Sequence, residues 1–370
     1  MENLALKSAS VTPSFWQGKH VFLTGHTGFK GSWMVLWLNA MGAKVSGYAL
    51  APNTEPNLFD VLDIKNLLHY SYIADIRDFH SLQVAMNESK PDILIHMAAQ
   101  PLVRYSYRHP VETYATNVMG TVHVLEAARQ ITSLRATVVV TTDKCYENQE
   151  RDKGYSETDP MGGYDPYSSS KGCAELVTAA YRQSFFSINN DSTHQHAVAS
   201  ARAGNVIGGG DWSEDRLIPD AIKAFEAHKP LMIRNPLATR PWQHVLEPLF
   251  GYLALAETLH REGASYASAW NFGPLDKDTR SVQEVINILI TQWGNGASWQ
   301  KEGADQPHEA GLLKLDCSKA HQELGWYPKW SLETAILKIV EWQTAFQEKK
   351  NMQDFTLAQI QQYIATKTLD

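Results

Sequence analysis

Three observations predict an α/β fold built on a doubly wound parallel sheet, with a smaller α/β lobe following it. Strand-like apolar runs alternate with helical patterns six times between residues 19 and 202, a glycine-rich turn joins the first strand to the first helix, and the rhythm breaks after about Ala203. Alternation of this kind is what a parallel sheet requires, because each return to the same end of the sheet needs a crossover, usually a helix. The 370 residues are enough for two lobes, expected at 1–203 and 204–370.

The elements follow in order. Residues 19–24 form a short apolar run that predicts a buried strand, and 29–41 place Trp33, Leu36, Trp37 and Ala40 at helical spacing. Trp33 and Trp37 are therefore expected in the core. Residues 43–49 predict the second strand, and further strands are expected at 70–74, 92–97, 136–142 and 197–202. Helices are expected between them at 77–88, 111–130 and 166–186. Beyond Ala203 come Gly-rich loops, an isolated strand at 231–234, and helices at 247–260, Val282–Trp293 and Leu332–Gln347. These are expected to pack against the carboxyl ends of the strands.

Composition narrows the function. Charged residues make up 20% and hydrophobic residues 44%, which suits a globular enzyme and not a disordered chain. A net charge of -7 argues against a broad surface for nucleic acid or anionic membrane. Cys145, Cys173 and Cys317 are widely spaced with no C-x-x-C, so neither a disulfide framework nor a zinc site is expected, and a reducing, cytoplasmic compartment fits. No apolar run approaches the roughly 18 residues that a bilayer span needs. Residues 1–14 lack the pattern of a secretory leader and are expected to be a frayed tail.

The turn after the first strand reads Gly25-His26-Thr27-Gly28-Phe29-Lys30-Gly31. Glycines here permit a tight turn and close backbone approach, and the helix that follows presents unpaired N–H groups suited to a pyrophosphate, which gives a Rossmann-type site. His26 and Lys30 read equally as phosphate contacts and as solvated loop residues. The second strand ends Tyr48-Ala49-Leu50, with no acidic side chain for an adenosine ribose and no arginine for a 2'-phosphate, so NAD is expected over NADP. Asp75 and Ile76 after the third strand are placed to hold the adenine, and Ala98 and Ala99 after the fourth are small where a dinucleotide must pass.

Tyr167 and Lys171 lie four residues apart, hence on one face of the helix at 166–186. An ammonium beneath a phenol favours phenolate, lowering a pKa of about 10 and making a base for a hydroxyl proton. The pairing by itself often marks only a solvated face. Here it follows a strand that ends Thr141-Thr142-Asp143-Lys144, a turn with a hydroxyl and two ionisable groups.

With the glycine loop, Asp75, Ala98-Ala99, Asn117, Thr142 and Tyr167/Lys171 in that order, the chain resembles the extended short-chain dehydrogenase/reductases that act on nucleotide sugars. The resemblance spans nearly the whole chain. Within that family, the strings Gly204-Asn205-Val206-Ile207-Gly208-Gly209-Gly210-Asp211-Trp212, Arg216-Leu217-Ile218-Pro219-Asp220 and Thr239-Arg240-Pro241-Trp242-Gln243-His244-Val245 look like the branch acting on CDP-glucose. The resemblance implies a tightly held NAD in contact with Gly25, Thr27, Gly28, Phe29, Gly31, Asp75, Ile76, Ala98, Ala99, Asn117, Tyr167 and Lys171. It further implies a CDP-4-keto-6-deoxy-D-glucose product, a role in deoxysugars for surface polysaccharide, and a homodimer or larger homo-oligomer built on the helices at 111–130 and 166–186.

The roles it implies are specific. Tyr167 takes the O4 proton of the sugar, Lys171 lowers the phenol pKa, and Thr142 hydrogen-bonds O4. Asp143 protonates the departing C6 hydroxyl. Lys144 stands where related dehydratases carry a glutamate, and is either a neutral base for the C5 proton or a cation for the enolate. Arg216, Arg234 and Arg240 are assigned to the diphosphate, Arg240 foremost, because guanidinium forks match phosphate oxygens. Asn205 is assigned to the diphosphate or a sugar hydroxyl, and Arg104 to the sugar or an interface. His96, Cys145 and Cys173 read as packing. A 4-epimerase shares Thr, Tyr and Lys but needs no acid after the threonine, and a non-catalytic NAD-binding regulator would need none of the three.

Overall fold

A computed structural model describes residues 9–186, 196–303 and 311–369. Of the expected tail, residues 1–8 lie outside the described residues, while Pro13–Trp16 form a helical turn whose Trp16 is fully buried.

Seven parallel strands form the main sheet: β1 (His20–Thr24), β2 (Lys44–Ala49), β3 (Tyr70–Ile73), β4 (Ile93–His96), β5 (Ala136–Val140), β6 (Ala197–Ala203) and, out of sequence, β10 (Ala269–Phe272). Their spatial order is β10-β6-β5-β4-β1-β2-β3. The order reverses between β1 and β4, and a crevice opens at the carboxyl ends of strands at such a reversal. Every residue of β4, β5 and β6 is buried, as expected for strands covered on both faces, and this is why they read as unbroken apolar or small-residue runs.

The helices follow the same logic. Phe29–Ala40 buries eight of its residues, Trp33 and Trp37 among them, and Trp33 Nε1 donates to Gly209 O at 3.1 Å, fastening the second half of the chain to the first helix. Pro166–Phe185 is capped by Asp165, whose side chain accepts from Ser168 N, and opens with Pro166 at its first position. The single helix expected at 111–130 is instead Pro110–Tyr114, a wide turn over Ala115–Met119 with i→i+5 bonding, and Gly120–Ala128. Such widened turns recur at functional sites, and this one buries Asn117.

Beyond residue 203 the chain forms a lobe with its own core. β7 (Asn205–Ile207), β9 (Thr239–His244) and β11 (Thr279–Ser281) make a three-stranded sheet, and β8 (Leu231–Ile233) pairs with β12 (Trp299–Lys301). Ile207, Ile218, Phe225, Trp242, Val285 and Ile336 pack together there. The chain also returns to the first layer. β10 pairs with β6, and helix Leu246–Glu262 buries thirteen residues in the core shared with β5 and β6. The last helix, Met352–Ala365, not among the elements expected from the sequence, sets Tyr363 edge-on to Trp37 at 5.9 Å. No helix among the described residues is long and apolar enough to cross a membrane.

Candidate active site

The glycine loop lies at the reversal of strand order. Gly25 has φ +82°, a left-handed conformation, and its N–H donates to Tyr48 O at 2.9 Å. A Cβ on Gly31 would run into the Gly25 carbonyl, so the helix can begin this close to the loop only with glycine there. Gly28 occupies the N-cap of Phe29–Ala40 without a side-chain cap, which leaves the first-turn N–H groups for an anion. This backbone suits a dinucleotide pyrophosphate. Thr27 Oγ1 donates to Leu50 O at 2.8 Å, so the threonine braces the loop against the end of β2. His26 is buried behind the loop, its Nε2 hydrogen-bonded with Ser71 Oγ at 3.0 Å, and burial lowers its pKa to about 4. It is a packing residue and not a phosphate contact.

The opposite wall is tied together by hydrogen bonds. Thr24 Oγ1 accepts from Met97 N and Ala98 N, each at 3.1 Å, and bonds His96 Nδ1 at 2.7 Å. His96 is thereby part of the frame, as its assignment to packing anticipated. Asn117 Oδ1 accepts from Gln100 N at 2.8 Å and its Nδ2 donates to Ser170 Oγ at 2.9 Å. This fixes the turn carrying Ala98 and Ala99 against the helix carrying Tyr167. Ile76 is buried, and the Asp75 carboxylate is engaged by Arg77, with Nε at 2.9 and 3.0 Å.

Tyr167, Thr142, Asp143 and Lys171 are all buried at the carboxyl end of β5. Tyr167 N donates to Ser106 Oγ at 3.1 Å, which seats the first turn of its helix. Thr142 caps the turn Asp143–Cys145, and its hydroxyl donates to Asp143 Oδ1 at 3.0 Å. Asp143 Oδ2 is buried with no hydrogen-bond partner. Burial pushes the Asp143 carboxyl above the usual carboxylate range, against the pull of Lys144, Thr142, Arg240 and Lys30. Lys144 is partly buried on the same turn.

The phenol differs from the sequence expectation. Burial raises Tyr167 to about 12, with Thr142 and Arg216 pulling down and Asp143 pushing up. The Lys171 ammonium, lowered to about 8 by burial, donates to Val140 O at 3.3 Å. In the protein alone, desolvation therefore outweighs Thr142 and Arg216, the groups that pull the phenol down.

The cations converge less uniformly. Arg240, almost fully buried on β9, donates Nη1 to Thr239 O at 2.9 Å and to Gly311 O at 3.3 Å, and its charge acts on Asp143. Arg216 pairs with Asp211 at 3.3 Å. Arg104 and Arg234 both pair with Asp215, at 3.2 and 3.7 Å. Asn205, partly buried, opens β7 one residue after Gly204, whose added Cβ would stand 3.1 Å from Asp143 Oδ2. No cluster of three or more potential metal ligands occurs among the described residues.

Sequence reasoning left out three sets of residues. Lys30, weighed only as a loop residue, has its pKa lowered to about 7 by burial and by Arg216 and Lys171, opposed by Asp143 and Asp211. A lysine inside the glycine loop was the signal. Glu175, one helical turn past Lys171, accepts from Ser200 Oγ at 2.7 Å, Arg202 Nη2 at 2.8 Å and Thr141 Oγ1, locking the helix that carries Tyr167 to the ends of β5 and β6. Asp215 gave no signal, since Arg104 lies 111 residues away, whereas Asp211 lies only five residues from its partner Arg216.

Residues 22–339 match the family model described as GDP-mannose 4,6 dehydratase. The chain is 53% identical to a CDP-glucose 4,6-dehydratase of Salmonella typhimurium, covering 97% of this chain and 99% of that one. It is 28% identical to a dTDP-D-glucose 4,6-dehydratase of Homo sapiens over 88% of this chain and 89% of that one. Among solved structures, a UDP-glucose 4-epimerase of Thermotoga maritima with UDP-glucose gives a TM-score of 0.76 at 20% identity, covering 89% of this chain and 99% of that one. The dTDP-glucose 4,6-dehydratase DesIV of Streptomyces venezuelae, with NAD bound, gives 0.75 at 23% identity, covering 90% and 98%. Both share the fold.

Proposed function

The chain belongs to the GDP-mannose 4,6-dehydratase family, within the extended short-chain dehydrogenase/reductases, and on that premise we propose that it is an NAD-dependent hydro-lyase converting CDP-D-glucose to CDP-4-keto-6-deoxy-D-glucose. The observation that carries dehydration over 4-epimerisation is Asp143, a buried carboxyl with its pKa raised and one oxygen unpartnered, adjoining Thr142 in the site of Tyr167. An epimerase has no use for such an acid. The nucleotide and sugar follow from the relative named for CDP-glucose.

The chemistry explains the need for these groups. The C5 proton of glucose is too weakly acidic to lose until C4 is a ketone. When bound on the glycine loop, NAD supplies a hydride acceptor at the start and a hydride donor at the end, so the overall reaction is redox-neutral. Thr142 hydrogen-bonds O4 and Tyr167 receives the O4 proton. Because burial holds the phenol near 12, its base strength depends on cations beside it: Arg216 already pulls it down, and Lys171, four residues on along the same helix, takes that role by the family resemblance. Asp143 delivers a proton to the C6 hydroxyl as it leaves. Lys144, on the same turn, serves C5, either as a neutral base or as a cation for the enolate. Arg104, Arg216, Arg234 and Arg240, with Asn205, hold the diphosphate and sugar.

The same reading includes a reducing cytoplasmic setting, which the free thiols of Cys145, Cys173 and Cys317 suit, deoxysugars for surface polysaccharide as the end use, and a homodimer. The decisive experiment supplies CDP-glucose deuterated at C4. Product should carry the label at C6 and one solvent hydrogen at C5. Label lost to solvent, or retained at C4 in a CDP-galactose product, would overturn dehydration by internal hydride return.

A further inference from the structure

Arg104 lies on helix Val103–Arg108 beside the main sheet, and Arg234 follows β8 in the second lobe. One carboxylate joins them. Asp215 Oδ1 is 3.2 Å from Arg104 Nη1 and 3.7 Å from Arg234 Nη2, so a single oxygen spans the two layers at the position where their guanidinium groups converge. Asp215 has φ +58°, a left-handed conformation that aspartate tolerates better than most residues, immediately before helix Leu217–Glu226. Its surroundings are otherwise acidic. Asp220 is pushed up to about 6 by burial and then by the charge of Asp215, with Glu214 adding to it and Arg234 and Lys223 opposing. The neighbouring Arg216 turns to Asp211 instead.

We propose that Asp215 is a displaceable counter-anion: its carboxylate holds Arg104 and Arg234 in the manner of a phosphate oxygen and yields them to the diphosphate of the substrate, thereby setting the affinity of the site. This rests on the assignment of these arginines to the nucleotide sugar. Two features make displacement feasible. The three side chains are each about a third exposed, so water can take up the released charges and the pairs are individually weak. A diphosphate carries more acceptor oxygens than a carboxylate and can engage both guanidinium forks at once. An incoming anion that failed to move Asp215 would meet Glu214, Asp215 and Asp220 together.

The test is Asp215→Asn, which removes the charge while keeping the shape and the tolerance for the left-handed backbone. In NAD-loaded protein, calorimetry should show inorganic pyrophosphate and CDP binding about three- to tenfold more tightly to the variant, with the Michaelis constant for CDP-glucose falling in step. In an Arg104→Gln background the gain should shrink, because one of the two competing pairs is already gone. If Asp215 only braces the arginines, Asp215→Asn binds both probes less well, and that result, or no change, overturns the proposal. Unaltered protein that binds UDP as tightly as CDP would count against the CDP-glucose reading, and the pyrophosphate comparison would still decide the role of Asp215.

Discussion

The Thr142 hydroxyl donates to Asp143 Oδ1 over 3.0 Å, while Oδ2 of the same carboxyl is buried against Gly204 without a partner. An ionised carboxylate wants donors on both oxygens, so this arrangement favours the neutral acid. Asp143→Asn should still allow oxidation at C4 yet slow water loss by about 10²-fold or more, because an amide has no proton to give. The pH profile carries the same information. A raised carboxyl pKa keeps the acid protonated to higher pH, so elimination should fall as pH rises through that elevated value, and the variant should lack this limb. Stopped-flow separation of C4 oxidation from release of the keto sugar measures both; unaltered elimination would remove Asp143 from the acid role.

Tyr167→Phe deletes the acceptor for the O4 proton while keeping the ring and the Ser106 contact to its backbone N–H. Turnover should drop by about 10²-fold or more with CDP-glucose binding little changed. Near-normal turnover in that variant would refute the assignment.

Arg240 acts with its charge on Asp143 and is the foremost of the arginines proposed to hold the substrate diphosphate. Arg240→Lys keeps a charge but loses the fork, and should cost roughly 1.5 to 3 kcal/mol of nucleotide-sugar binding, seen mainly as a raised Michaelis constant. An unchanged Michaelis constant would place the diphosphate elsewhere.

Much of this site is legible in the sequence because its parts are local. The glycine loop, the strand ending Thr142-Asp143 and the pair Tyr167/Lys171 each lie within a few residues, where spacing and periodicity report on shared faces. What escapes depends on distance. Asp215 meets Arg104 across 111 residues, and the four residues of β10 join the sheet only after a long excursion through the second lobe. The pKa of Tyr167 escapes for another reason: a motif gives the spacing of tyrosine and lysine but not the burial that raises the phenol. The wide turn at Ala115–Met119 leaves no periodic trace, since it interrupts an otherwise helical pattern by only one turn.

The helices bearing Asn117 and Tyr167 also carry the apolar surface expected to pair two subunits. The structure sorts the candidates: Leu125 is fully buried beneath the helix, Val118, Val122 and Val177 are partly buried, and Leu176 is 60% exposed. Val111 and Met119, at 82% and 48%, join Leu176 as the outward residues. A homodimer through this face should sediment as such at micromolar concentration, and Val111→Glu with Leu176→Glu should release monomers. A monomeric unaltered protein would sink the idea.

Glu247 links pH to the stability of the C-terminal region. It is fully buried, accepts Trp330 N at 2.8 Å and the Tyr363 hydroxyl at 2.6 Å, and thereby ties the last helix to the core. Burial raises its pKa to about 7 despite these donors and the charge of Lys329. The folded value therefore lies above the ordinary value of about 4.3, so the folded protein binds more protons than the unfolded chain between the two. The stabilising contribution is complete below the lower value and is lost as pH rises through 7. In thermal unfolding from pH 5.5 to 8.5, unaltered protein should lose stability relative to Glu247→Gln, which has no proton to release. Tyr363→Phe should cost about 1 to 3 kcal/mol by stripping a buried donor from the carboxyl. A constant difference between unaltered protein and Glu247→Gln across that range would show that Glu247 does not titrate with folding.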